Sequence, residues 1–405
     1  MFNIKLDKSE FQQVANYKLN FGGTTKTYIT YRIPINKLYL NDHNTRIATA
    51  ISEYYSKGGK PFNQFNISQY NKKIREFILE SDSKSNDKKT KEDIKRKGQE
   101  VPGVVLEDGR IIDGNRRFSI ITSLNEETGD IKYAYFEAVI LDNVNYDNEN
   151  DKKAIKLLEL EVQLGKLGVQ DYNPIDLLVD YYENSIKNKL YTDQEFARIT
   201  NKDEKEVRLI KNKAEIMGDF LSFWNVPNNY FIARDLKLDG PFQELASIRK
   251  KMDTDEWMKL RIVFYTYLIQ AIDGATTLKI RAMGKLYESN IKEFEKLFSE
   301  FKPIATDILL RVERDKKENS NFNIKPTPLP TEKKTVTQKY NDIVEKNNKI
   351  DAINKPIKTI EDMISKIESI DNAIIAQYDS KKLLSLNKSI LILIEKLKKF
   401  IVNES

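Results

Sequence analysis

Two periodicities divide this chain and bound what it can fold into. Up to about residue 141 the apolar residues fall in short β-branched or alternating runs, KTYITYRIPI, VPGVV, RIID and YFEAVIL, which read as strands. Beyond that point the spacing becomes that of amphipathic helices, in KKAIKLLELEVQL, PIDLLVDYYENSI, DQEFARI and EKEVRLIKNKAEIM. Strands confined to the first third, then helices alone, predict an α+β N-terminal domain followed by an all-α region.

A chain of 405 residues exceeds what one core serves, so several units are expected. Residues 1–150 form the first, with the Lys-rich stretch 52–98, centred on SDSKSNDKKTKED, read as a polar surface insertion because such a composition buries little. Residues 151–240 make a helical domain, and 241–320 a helical scaffold with segments such as DEWMKLRIVFYTYLIQAI. Residues 321–340 (NFNIKPTPLPTEKKT and its flank) carry three closely spaced prolines and are expected to be an extended, exposed linker. In 341–405, Ile357, Ile360, Met363, Ile364, Ile367 and Ile370 share a helical stripe, and SLNKSILILIEKLKKFI supplies a second helix, which together predict a helical hairpin or coiled-coil segment.

Composition removes several chemistries. With no cysteine there is no disulfide, thiolate zinc site or Cys nucleophile, and the single histidine, His43, leaves a Ser-His-Asp triad only one base. A charged fraction of 32% and the lack of a long apolar run argue against a membrane protein. The opening MFNIKLDKSEFQQ lacks the apolar stretch of a secretory signal, so the expected location is the cytoplasm. A net charge of +6 is compatible with nucleic acid without demanding it.

The sharpest motif is Asp113-Gly114-Asn115-Arg116-Arg117, where a predicted strand gives way to a predicted helix. Helix N-termini carry unpaired amides and partial positive charge, so two arginines in a first turn call for an anion. A phosphate meets that need: the glycine lets backbone approach, the amides donate, and an arginine adds a bidentate clamp. The competing reading is a surface Arg-Arg pair answered by nearby carboxylates.

A second motif, TDQEFARITNKDEKEVRLIKNKAEIM, places Phe196, Ala197, Ile199, Val207 and Ile210 on two short helices, with Asn201 where a turn glycine would stand. Read as a helix-turn-helix, it makes Lys202, Lys205, Arg208 and Lys211 DNA contacts, with Arg208 as base reader. The alternative is an ordinary helical pair with a solvated basic face. His43, Tyr181, Tyr182, Phe223 and Trp224 are given no ligand role.

Together these strings resemble the ParB/sulfiredoxin-like superfamily from residue 31 to about residue 215. The Asp-Gly-Asn-Arg-Arg string resembles its arginine-bearing phosphate box, and Gly98, Gln99 and Pro102 match the approach to it. The run from Ile33 to Leu38, with Asn41, Asn44 and Arg46 after it, is similar to the first box. Asn173-Pro174-Ile175-Asp176 resembles the second half of the third box, whose first half departs from the pattern and leaves Glu159, Glu161 and Gln163. Sulfiredoxin-type redox chemistry is excluded by the lack of cysteine.

The resemblance implies a ParB/Srx-like domain that binds a nucleoside triphosphate, CTP or ATP, with Mg2+, through Arg46, Gly98, Gln99, Gly114, Asn115, Arg116 and Arg117. Glu159 and Glu161, two apart on one helix, do not share a face, and Glu161 is taken as metal ligand and, with Asp113, as catalytic carboxylate. The implied protein is a nucleotide-switched, homodimeric binder of double-stranded DNA at the nucleoid or a plasmid, with the C-terminal helices open to a protein partner. The alternatives are a nuclease or ATP-using phosphotransferase of a mobile-element or phage-defence system, and an adaptor with a vestigial nucleotide site.

Overall fold

In the computed structural model the described residues are 2–81, 84–164, 173–272, 274–318 and 325–401. They divide into two units, residues 1–340 and 341–405. The first is an α+β assembly with all its strands at the N-terminal end.

Strands β1 (Gln12–Phe21), β2 (Thr24–Pro34), β3 (Gly103–Leu106), β4 (Ile111–Asp113) and β5 (Tyr135–Leu141) make one mixed sheet, ordered β1-β2-β5-β3-β4. β3 and β5 are parallel and the other neighbours antiparallel. Gly22 and Gly23, at φ +60° and +78°, close the β1–β2 ribbon with the left-handed backbone that a two-residue hairpin turn requires.

Both faces of the central strands are buried, which is why their sequences are continuously apolar rather than alternating. One face, carrying Ile33, Val105, Phe136 and Ile140, packs under helices α1 (Ala48–Ser56), α2 (Ile67–Ser81), α3 (Lys84–Lys97) and α4 (Asn115–Thr128). The other, with Leu19, Val104, Leu106 and Val139, meets Ile155 and Leu158 of α5 (Glu149–Leu164).

The stretch 52–98 is therefore not a polar insertion. Phe62, Tyr70, Ile74, Phe77, Ile78 and Ile94 all belong to the sheet's own core. A mean composition averages the solvated face of each helix with its buried stripe, and the stripe at Tyr70, Ile74, Phe77 and Ile78 has the i, i+4, i+7, i+8 spacing that packs a helix on a sheet.

Helices then follow one another: α6 (Pro174–Tyr181), a π-helical turn at 182–187, α7 (Asp193–Thr200), α8 (Glu204–Phe223), α9 (Phe231–Asp235), α10 (Asp239–Arg249), α11 (Thr254–Ile269), α12 (Thr276–Ser289) and α13 (Ile291–Glu318). α11 is buried almost all round over 263–269, with Phe220 packed on its Tyr265 and Phe294 on its Phe264, while Phe242 packs on Phe220. Tyr181 and Trp224 are fully buried, in keeping with a structural role.

The expected Pro-rich linker is shorter than its sequence suggested. Residues 321–324 lie outside the described residues, but Pro330 opens helix α14 (Pro330–Tyr340), where its missing N–H costs nothing. Val336 and Tyr340 are buried, Tyr340 lies 5.1 Å from the Tyr267 ring, and Arg311 pairs with Glu332 at 2.7 Å. The division between units falls at Tyr340, after the prolines rather than at them.

The second unit holds α15 (Lys346–Glu368), the short α16 (Asn372–Ile375) and α17 (Ser380–Ile401). Ile353, Ile357, Ile364 and Ile367 of α15 and Leu384, Leu391 and Ile392 of α17 are all at least half exposed. Among the described residues no helix is long and apolar enough to cross a membrane.

If 52–98 carries core, Phe77→Ala should lower unfolding stability by about 3–5 kcal/mol, as for other buried phenylalanines. Denaturant unfolding followed by circular dichroism measures it, and a loss under about 0.5 kcal/mol, the range of a surface substitution, would return the segment to the surface.

Candidate functional site

β4 ends at Asp113, and the chain turns into α4 through Gly114 at φ +94°. A Cβ there would stand 2.8 Å from the Phe136 ring and 3.3 Å from the Gly103 Cα, so both packing and backbone demand glycine. As N-cap, Gly114 brings no side-chain acceptor, and no acidic residue stands in the first turn of α4. Arg116 and Arg117, both half-buried, thus stand at the positive end of this helix with no carboxylate in the same turn, and Asp113, just before it, pairs with Arg117.

Asn115 is turned inward. Its Oδ1 accepts the Asn41 N–H at 3.1 Å and its Nδ2 donates to the Ile112 carbonyl at 3.3 Å. Asn41, fully buried, is the hub of the region: its Nδ2 donates to Glu159 Oε1 at 2.5 Å, and its Oδ1 accepts the His43 N–H at 3.1 Å and Arg110 Nη1 at 3.4 Å. Glu159 in turn accepts Lys156 Nζ at 2.7 Å, and the same ammonium donates to the His43 carbonyl. Burial opposes charge on Lys156, but Glu159 and Tyr146 outweigh it and leave its pKa raised. Lys156 and Glu159 pair inside the protein, each with a second polar partner, and burial raises the Glu159 pKa against the lowering effect of the Lys156 charge and hydrogen bond.

The loop after Asn41 is fastened on its far side too. Asn44 caps a short turn by accepting the Arg46 N–H at 3.0 Å. Thr45 Oγ1 donates to Asp180 at 2.8 Å and Thr49 Oγ1 to Asp176 at 2.9 Å, tying the loop to α6, whose start is set by the Asn173 cap and Pro174. Burial pushes Asp176 up to about 7, against the opposing Thr49 hydrogen bond and the Arg234 and Arg46 charges.

The residues singled out in the sequence separate into those this network collects and those it does not. Asn115, Gly114 and the Arg46 loop are joined directly or through Asn41. Arg117 ties the ends of two strands together, donating to Asp113 at 3.1 Å and to the Pro102 carbonyl at 3.2 Å, which engages Asp113 structurally as well. Gly98 closes α3 at φ +78°, and Gln99 bonds both the N–H and the carbonyl of Glu137 on β5.

Glu161 points the other way. It accepts from Asn20 of β1 at 3.3 Å and lines a separate cavity of about 440 Å3 with Gly22, Gly23, Arg198 and Asn201. Of the two glutamates it is Glu159 that reaches the arginine-loop network, and its carboxylate is already held by Lys156 and Asn41. The Gln163 side chain lies outside the described residues. Among the described residues no three His, Asp or Glu side chains converge as a metal-holding group, and Glu161, the expected metal ligand, lies apart from Asp113 and the arginine loop.

The second motif forms two capped helices. α7 and α8 each begin with a capping box, Thr192 with Glu195 and Asp203 with Glu206, and Asn201 joins them at φ +53°. Phe196, Val207 and Ile210 are buried between them and their neighbours. Lys205 and Arg208 are exposed on α8, Lys202 stands 3.8 Å from Glu206, and Lys211 pairs with Asp193 at 2.9 Å.

No family model matches the chain, and no curated protein matches it significantly.

Sequence reasoning passed over Lys156, Arg110 and Tyr146 and preferred Glu161 to Glu159. A signal was present: Lys156 and Glu159 lie three apart among apolar residues of α5, two charges on a face that the flanking Ile155 and Leu158 mark as buried. His43, given no role, stacks on Tyr146 at 4.7 Å, and Arg110 lies 5.1 Å from the same ring.

Asp176 yields a pH prediction. Its folded pKa, about 7, is above the ordinary aspartate value of 3.8, so the native state binds the extra proton between these limits and stability falls as pH rises through that window. Asp176→Asn cannot ionise, so it should match wild type near pH 4 and exceed it at pH 8 by up to about 4 kcal/mol, the shift converted at 1.36 kcal/mol per unit. Denaturant melts at both pH values measure the gap, and a gap independent of pH would refute the assignment.

Proposed function

We propose that this chain is a ParB-like, nucleoside-triphosphate-binding protein that associates with double-stranded DNA at the nucleoid or a plasmid. The observation that carries the reading is the start of α4: a left-handed glycine N-cap, no first-turn acid, two arginines, and a buried Asn115 that anchors the Asn41–Arg46 loop beside them. Triphosphate oxygens are the anion this arrangement suits, received by first-turn amides and Arg116, with Arg46 entering from the neighbouring loop. Arg117 acts mainly by bracing Asp113 and Pro102. Mg2+ enters the proposal as the ion that accompanies the triphosphate, held by phosphate oxygens.

DNA association rests on α7 and α8, with Lys205 and Arg208 presented on the exposed face and Lys202 and Lys211 at its margins. Nucleotide and DNA would be coupled through the Thr45–Asp180 and Thr49–Asp176 bonds, which join the Arg46 loop to the helices leading into α7. The exposed isoleucine stripe of α15 is proposed to self-associate, giving a homodimer.

Calorimetric titration of CTP, ATP and GTP with Mg2+ tests the nucleotide reading. One nucleotide should bind, and Arg116→Ala should weaken it at least tenfold, the loss of about 1.4 kcal/mol from one charge-assisted contact. Absence of binding, or binding unchanged in the variant, would sink it. Light scattering of a chain cut after Tyr340 tests self-association: the expected outcome is a dimeric full-length chain and a monomeric truncation, and an unchanged oligomeric state removes the dimer from α15.

A further inference from the structure

From Phe11 to Asn41 the chain contains no Asp or Glu, although acids make up 61 of its 405 residues. That interval is the β1–β2 ribbon and its exit. Of its four cations, Arg32 pairs with Glu137 at 3.3 Å and Lys37 with Glu10. Lys18 and Lys26 are exposed and lie on either side of the turn. The register places Asn16 opposite Ile29, Lys18 opposite Thr27 and Asn20 opposite Thr25, while Tyr17, Leu19, Phe21 and Tyr28 pack toward α5 and Lys26, opposite Leu19, leaves the ribbon on that same side near the turn. Asn16, Lys18, Thr25, Thr27 and Ile29 are all exposed, giving an outer face that is polar and mildly cationic with one aliphatic side chain.

The ribbon ends beside the helical pair. Asn20, Gly22 and Gly23 at its tip share one cavity wall with Arg198, Ile199 and Asn201, the end of α7 and the turn into α8. Arg198 is exposed there, and Lys202, Lys205 and Arg208 follow directly. The acid in this cleft, Glu161, is half-buried and engaged by Asn20. A two-stranded antiparallel ribbon is, with the α-helix, one of the elements that a DNA groove accommodates.

β1 is also an edge strand, so pairing with a strand of another protein is the competing use. The register shift between Gln13 and Ala15 breaks that edge, and the outer face has no apolar row for a partner strand to cover. Polyanion is the occupant the charge pattern favours.

We propose that the β1–β2 ribbon is a second DNA-contacting element, adjoining the α7–α8 pair at its tip, in which Lys18 from the outer face and Lys26 from the opposite face contact phosphates on the flank of the segment met by α8. The inference rests on the DNA reading above, and the experiment separates the two. Full-length protein is titrated by fluorescence anisotropy against a labelled mixed-sequence duplex over a series of salt concentrations. The variants are Lys18→Gln with Lys26→Gln, Lys18→Arg with Lys26→Arg, Arg208→Ala, and a charge-matched control, Lys250→Gln with Lys285→Gln, two exposed lysines at the end of α10 and in α12.

The glutamine ribbon variant should bind roughly tenfold more weakly at low salt, with a log–log salt slope shallower by about 2, one for each lost phosphate contact. The arginine variant should keep the wild-type slope and so exclude a folding defect, and the control should match wild type. A ribbon variant with wild-type slope and affinity, alongside a weakened Arg208→Ala, overturns the ribbon and leaves the helices. Wild-type protein that does not bind duplex overturns both.

Discussion

The first unit depends on one buried carboxamide. Asn41 contributes a backbone N–H and both ends of its side chain to bonds with Asn115, Glu159, His43 and Arg110, and so fastens together segments far apart in sequence. Inside a protein such groups are costly unless all are answered, and here each answer recruits the next: Glu159 requires Lys156, and Lys156 the His43 carbonyl. Removing a member leaves a charge or amide buried without its partner, a cost of about 3–5 kcal/mol when the lost partner is half of a buried ion pair. The network thereby fixes the start of α4 against the loop that carries Arg46, more stringently than apolar packing alone would.

The same loop is held from the helical side by Thr45 on Asp180 and Thr49 on Asp176, while Ser52 accepts the Phe231 N–H and Arg234 pairs with Glu53. The polar groups of the first helix and its approach are thus answered by α6 and α9, which makes the sheet and the helices that follow parts of one unit rather than beads on a string. Asp176, raised by burial, places a titrating group in this contact.

Deeper in the helices Asp219 plays the organising part on a smaller scale. It accepts Trp257 Nε1 at 3.1 Å and the Tyr265 hydroxyl at 2.8 Å and pairs with Arg261, locking α8 to α11. The helical pair at α7 and α8 is consequently presented on a rigid support. The β1–β2 ribbon, anchored by one face and exposed on the other, extends from the sheet toward the same pair.

The sequence by itself determined the elements. Strands, helix starts, the Asn201 turn and the strand-to-helix position of Asp113 to Arg117 follow from side-chain period and capping chemistry, which act over a few residues. Tertiary structure decided which faces were covered. Composition made 52–98 look like an insertion because it averages a wet face with a dry one, and Pro330 looked like linker because a proline that starts a helix reads locally like one that prevents it. Glu161 and Glu159 have the same chemistry two residues apart, and only the packing of α5 against the sheet turns one toward Asn20 and the other toward Asn41. Burial and partner choice are set by contacts across more than a hundred residues, and no local pattern contains them.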